Sequence, residues 1–295
     1  SVDGNMIISG ITTLGTTSFT ADATVNSITV GKGANSVDGN TAIGQNALDA
    51  ATTGDVNVAV GKNALTDLTT GASNVAVGKD AGANITTGSN NTAIGQGALT
   101  TVSTASNNTA VGKNALTANT TGAANIAIGG NSLDANTSAS SNVAVGYDAL
   151  TSNTTGDQNT AVGGYALDTN TTGEYNVAVG YAALDANTTA SNNTGVGYHS
   201  LKSNTDGSSN TAVGSLCLDS NTTGSNNTAM GVRAINDCTT GASNSGFGVQ
   251  ALRYNTTGSY CTAIGSLALR DNTTANNNTA VGYAAMQSNT TGTEN

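Results

Sequence analysis

The residues able to do chemistry in this chain are few. Among 295 residues, His199 is the only histidine, and Cys217, Cys238 and Cys261 are the only cysteines. His199 stands beside Tyr198, and no second base or nucleophile lies at a spacing that suggests a Ser-His-Asp or Cys-His arrangement. The cysteines lack the paired spacing of a metal site and are too sparse for a disulfide framework. Aspartate returns at a fixed place in a repeating period, as Asp49, Asp134, Asp168, Asp185 and Asp219, but threonine, Lys202 and Arg253 fill the same place in other copies. Metal ligation would not survive that exchange. Tyrosine returns at another fixed place, as Tyr147, Tyr181, Tyr198 and Tyr283. An exposed tyrosine ring can stack on a sugar, so this column is the candidate glycan contact. The residues therefore predict no enzyme, no cofactor and no metal.

Composition points the same way. Charged residues make up 9% of the chain, proline and tryptophan are absent, and alanine supplies much of the 37% that is hydrophobic, so burial must be thin and spread along the chain. The net charge of −10 argues against nucleic acid, which requires a clustered basic surface. No apolar run reaches the length of a membrane span, so no membrane insertion is expected.

What positions these residues is a repeat. The glycine of each N-[TV]-A-[VI]-G motif falls at Gly44, Gly61, Gly78 and so on to Gly282, fifteen copies in steps of 17 residues without an insertion or deletion. With that glycine as position zero, position −2 is alanine except at Gly195 and Gly246, and position −1 is always large and apolar, from Ile43 to Val281. Position +4 is leucine except at Gly82, Ile235 and Met286, and position +3 is alanine except at Ser132, Ser200 and Cys217. Positions −1 and +4 are expected to form the core, and Cys217 reads as a small-residue substitute.

The alternation at −3 to −1 predicts a short strand, and the paired threonines predict a second over +7 to +9. Asn at −4, Gly at zero and the mostly Gly position +10 are assigned to turns, with tight packing rather than a positive φ expected at +10, because Ala105, Ala139, Ala190 and Ala275 also occur there. Position +7 is Ala51, Leu68, Ile85 and Val102 in the first copies. It then becomes Asn119, Asn136, Asn153, Asn170, Asn187, Asn204, Asn221, Cys238, Asn255, Asn272 and Asn289. A slot that accepts leucine points inward, so these asparagines predict a stacked amide ladder. Cys238 would interrupt the ladder without creating a reactive site.

Helices are excluded by the recurring glycine and the weak helix formers Thr and Asn. The pattern predicts an all-β fold, a parallel β-solenoid or β-roll of about fifteen 17-residue coils over residues 40–295, preceded by a β-rich cap or connector over 1–39. In that first segment, Val30-Gly31-Lys32 reads as a degenerate coil. Asn295 falls at position −4 of a further coil, so the pattern is expected to be cut in mid-repeat. One coil buries two large side chains, about 1.5–3 kcal/mol each, against about 1–2 kcal/mol of backbone entropy per residue. Stacking must supply the rest. The small −2 column, opposite to −1 and −3, predicts a face buried against other chains, hence side-by-side oligomerisation with the alanines near the axis.

The motif N-[TV]-A-[VI]-G, followed by A-L and N-T-T-G, resembles the YadA-like head repeats of trimeric autotransporter adhesins, and also the repeat arrays of marine bacteriophage tail fibres. The resemblance covers Asn40 to Asn295. It implies a left-handed β-roll, a homotrimer, and a role in display and attachment. The adhesin repeat is usually shorter, which favours the tail-fibre setting. The implied location is the virion surface, or otherwise an extracellular or cell surface. Its implied partners are further fibre or virion proteins at the ends and a host-surface glycan or protein. Two alternatives accompany it: the head of a bacterial adhesin, and an ice-binding Thr-rich solenoid, prompted by threonine at +8 in every copy except Ser103. Against ice binding, +8 and +9 are expected to face opposite ways, leaving one threonine column per face.

Overall fold

A computed structural model describes residues 22–25, 28–50 and 52–295 of the chain. Ala51 and the strands expected before residue 22 lie outside the described residues. The repeat folds as a parallel β-solenoid. Each coil contributes one three- or four-residue strand, from β3 (Thr41–Gly44) and β4 (Val58–Val60) through β11 (Val177–Val179) to β17 (Thr279–Val281). Every neighbouring pair from β3 onward is parallel and in register at the repeat length, Ala161 opposite Ala178 and Ala178 opposite Gly195. Ahead of them, β1 (Ala23–Val25) and β2 (Ile28–Gly31) form an antiparallel pair, and β2 runs antiparallel to β3. Val30-Gly31 is therefore no first coil; it reverses against the stack. The Ala34 amide donates to the Leu48 carbonyl, so the following turn closes over the end of the core.

The second strand does not form. Over +8 and +9 the amides of Thr120 and Thr121 both donate to the Thr137 carbonyl, at 2.8 and 3.1 Å. Two successive amides on one acceptor cannot extend a ladder, in which alternate groups must face the neighbour. The backbone bends there, and Thr120 and Thr121 are both exposed. Along the rod the +9 residues are exposed and the +8 threonines are half-buried in most coils, so the two columns flank one bend in place of the two faces of the expected strand. The +8 hydroxyls are also engaged in stacking: Thr120 Oγ1 donates to the Thr137 carbonyl at 2.8 Å.

The core is inverted relative to expectation at the strand. Position +4 is buried, with Leu65, Leu184 and Leu218 fully inaccessible. At the strand, however, the alanines point in and the large residues point out. Ala59, Ala161 and Ala178 are fully buried, whereas Ile43, Ile94, Ile128 and Ile264 are about two-fifths exposed. A 17-residue coil is too narrow for large side chains from both the strand and the opposite turn. Leucine enters from +4, and only a methyl group remains for −2. The −1 side chains form an apolar stripe along the outside instead, beside a −3 column that is threonine or serine in ten copies and valine or isoleucine in five.

Two further constraints hold the coils at contact distance. At position zero, Gly180 has φ +136°, and a Cβ there would lie 2.4 Å from the carbonyl oxygen of Gly197 in the next coil. Only glycine serves where backbone meets backbone this closely. At position +10, a Cβ on Gly173 would lie 2.3 Å from the Ala190 oxygen, and no φ in the left-handed region is required. Close packing governs that column.

Two asparagine ladders line the interior. In the first, at +7, Asn136 Nδ2 donates to Asn119 Oδ1 at 2.8 Å, and Asn153, Asn170, Asn187, Asn204 and Asn221 continue the chain at 2.7–3.3 Å. After a break at Cys238, Asn272 donates to Asn255 at 2.8 Å and Asn289 to Asn272 at 3.5 Å. The second ladder, at −4, occupies a column assigned to turns from the sequence. These asparagines, such as Asn57, Asn159 and Asn176, are fully buried. The Asn176 backbone N–H donates to Asn159 Oδ1 at 2.9 Å. Both ladders converge on the carbonyl at +10: Gly173 accepts from Asn159 Nδ2 at 2.8 Å and from Asn170 Nδ2 at 3.0 Å. Most of the buried amides thereby find partners along the stack and within their own coil, Asn142 Nδ2 and Asn221 Oδ1 being the exceptions.

Candidate functional site: an aromatic groove

The outward columns at +1, +2 and +5 run side by side along the solenoid. The residue at +2 sits in the left-handed region, with φ +57° at Tyr165 and +52° at His199. This turn brings +2 side chains beside the +1 side chains of neighbouring coils. Tyr147 and Tyr165 meet edge to face with ring centres 5.8 Å apart, and Tyr165 and Tyr181 do so at 5.6 Å. Tyr181 and Tyr198 stack nearly parallel, 6.0 Å apart at 14°, and His199 lies flat against Tyr198 at 3.8 Å.

Tyr147, Tyr181 and Tyr198 are each about half exposed, so the array offers ring surface to solvent. Tyr283, in the last coil, is 78% exposed and joins no aromatic pair among the described residues. The structure thus gathers three of the four tyrosines and adds Tyr165 and His199. Those two were missed because the sequence treats +1 and +2 as separate columns. The signal was their shared cluster of aromatic residues between positions 147 and 199.

Beside the rings runs an open groove of about 450 Å³, walled by Tyr165, Tyr181, Tyr198 and His199 on one side and by Asp168, Asp185 and Lys202 from column +5 on the other. Asp168 is held above the usual carboxylate range, first by partial burial and then by the negative charges of Asp185 and Asp148. Partial burial also raises Asp185, against the opposing pull of Lys202 and His199. Among the described residues, the ion pairs are Lys32–Asp38, Lys79–Asp80 and Arg270–Asp271. Neither groove carboxylate takes part in one. The groove therefore joins aromatic faces to carboxylates without a charge partner in contact.

The other residues singled out from the sequence have structural surroundings. Cys217, Cys238 and Cys261 are buried and unpaired. Burial pushes the thiols of Cys217 and Cys238 up to about 12, which leaves essentially no thiolate at neutral pH. Cys238 stands in the first asparagine ladder and Cys261 in the second. Asp49 and Asp134 lie in column +5 outside the groove, and no group of three or more His, Cys, Asp or Glu side chains converges among the described residues. No helix among them is long and apolar enough to cross a membrane. No family model matches this chain, and no curated protein sequence is significantly similar to it.

Proposed function

We propose that the chain is a segment of an adhesive fibre, with a phage tail fibre as the favoured setting, assembled as a homotrimer and displaying its aromatic groove to a host-surface saccharide. The observation that carries this reading is the outward apolar stripe. It runs unbroken from Ile43 to Val281, with exposures of 41% at Ile43, 43% at Met230 and 68% at Val281. The strand face that carries it, three residues at about 3.3 Å each over fourteen steps of about 4.8 Å, spans about 700 Å² per chain, apolar at −1 and mostly threonine at −3. A standard interface buries about 800 Å² on each partner.

The stripe suits a second and third copy of the same chain, because a straight, repetitive surface is matched in length and spacing by itself. The alanine column, buried inside each coil, is not the face that meets the neighbours. Further fibre or virion proteins would join at the ends, the site of action would be the virion surface, and the role involves no catalytic step. The bend at the threonine columns and the engaged +8 hydroxyls do not favour an ice-binding face, which must be flat and free.

Sedimentation equilibrium tests the assembly. A mass three times the 28.7 kDa of one chain is expected. Lysine at Val145, Val179 and Val213 should reduce it to monomer while leaving the far-UV circular dichroism unchanged. A wild-type monomer would overturn the trimer.

A further inference from the structure

The groove beside Tyr181 and Tyr198 is more specific than a general sugar contact. We infer that it takes an oligosaccharide carrying protonated amines, an amino sugar that is not acetylated. The inference rests on the attachment reading only in taking the ligand to be a saccharide.

Three features of the groove point to a cation. The groove presents aromatic faces and carboxylates together in two successive coils, Tyr165 with Asp168 and Tyr181 with Asp185, and the next coil adds Tyr198 with Lys202. Tyrosine faces attract an ammonium group through the negative face of the ring, and also accept the apolar face of a pyranose. Asp168 and Asp185 face the groove with no ion-pair partner, so their charge is available to a ligand. Asp148 adds to the negative field at the Tyr165 end, whereas Lys202 closes the other end. The direction of a bound chain would therefore be fixed, amines toward Asp168 and a hydroxyl-rich end toward Lys202.

Acidic saccharides fit poorly, since they would approach a chain of net charge −10 and meet two carboxylates. The groove also lies apart from the proposed assembly face. Its walls come from positions +1, +2 and +5, and none of its residues belongs to −3 or −1. Trimerisation leaves those columns outside the apolar stripe.

The test is isothermal titration at about pH 6, where the sugar amines are protonated, with glucosamine tetramer, its fully N-acetylated counterpart and cellotetraose. The amine-bearing tetramer is expected to bind about tenfold more tightly than the other two. The double variant Asp168→Asn, Asp185→Asn should remove that preference and leave the weak neutral-sugar binding in place. Tyr181→Ala should weaken all three, and circular dichroism should show the variants folded as the wild type. Equal binding of the three sugars would overturn the amine inference while sparing the saccharide contact. Absence of binding to all three would overturn both, without touching the trimer. A preference that survives in the double aspartate variant would also overturn the inference, because the charge would then come from elsewhere.

Discussion

Replacing Cys238 with asparagine should stabilise the protein, and the structure sets the size of the gain. Cys238 occupies a rung of the +7 ladder, between Asn221 and Asn255. On one side, Asn221 Oδ1 is buried without any hydrogen-bond partner. On the other, Asn255 Nδ2 donates only to the Gly258 carbonyl, whereas Asn187 in an intact stretch donates both to Asn170 and to Ala190. The thiol reaches Gly241 O at 3.4 Å, a weak contact. An amide in this slot would donate to Asn221 and Gly241 and accept from Asn255. Each new bond contributes about 0.5–1.5 kcal/mol net, and relief of the orphaned acceptor falls within that sum. Allowing for side-chain ordering, a gain of about 1–3 kcal/mol follows. For a chain of this size that corresponds to a rise in Tm of about 2–4 °C per kcal/mol. The assay is thermal unfolding followed by circular dichroism under reducing conditions, with Cys238→Leu as the control. Leucine occupies the same slot at Leu68, where it is fully buried, so it fits by shape but leaves Asn221 unpaired. Asparagine no more stable than wild type, or no better than leucine, would refute the ladder as a source of stability.

Two further predictions concern single columns. Gly180→Ala should cost about 3–5 kcal/mol, from an unfavourable φ and the clash with the Gly197 carbonyl, and should lower the urea midpoint accordingly; an unchanged midpoint would show that the coils can separate. Asp134, Asp168, Asp185 and Asp219 are all held above the ordinary carboxylate value, in each case first by partial burial. Their protonated forms are thus favoured in the folded state, a contribution fully present below the ordinary value of about 3.9 and lost as pH rises through the raised one. Calorimetry should show these four sites pulling Tm upward as the pH falls toward the ordinary carboxylate value of about 3.9, and replacing all four with asparagine should flatten that rise. Asp80 and Asp271, held low by Asn63 and Arg270 respectively, act the other way nearer the acid end. A variant with the same pH profile as the wild type would contradict this account.

The sequence was informative where the period carries the argument and misleading where a choice of face does. Seventeen-residue steps without a gap establish a parallel solenoid, because only a stack with fixed coil length has that need. The alternation Val177-Ala178-Val179 likewise establishes a strand. Alternation alone does not say which face is inside, and the usual preference for burying the larger residue gave the wrong side. Coil width decided it, and width emerges only when the chain closes on itself around Leu184. The −4 asparagines were read as turn residues because asparagine is common there. Cys261 was the contrary sign, since a turn at the surface has little reason to accept a buried thiol. The aromatic groove was half legible: Tyr147, Tyr181 and Tyr198 were visible as a column, whereas Tyr165 and His199 join them only through the left-handed turn at +2.

The two ladders also give the rod a direction. In each, the donor belongs to the later coil and the acceptor to the earlier one, as Asn136 donates to Asn119 and the Asn57 backbone to Asn40. The buried amides therefore align head to tail like beads threaded one way. Two such rods can continue one another only with the same polarity, since reversal would set acceptor against acceptor or donor against donor. An array lengthened by whole coils keeps that polarity throughout, so its two ends remain chemically distinct at any length.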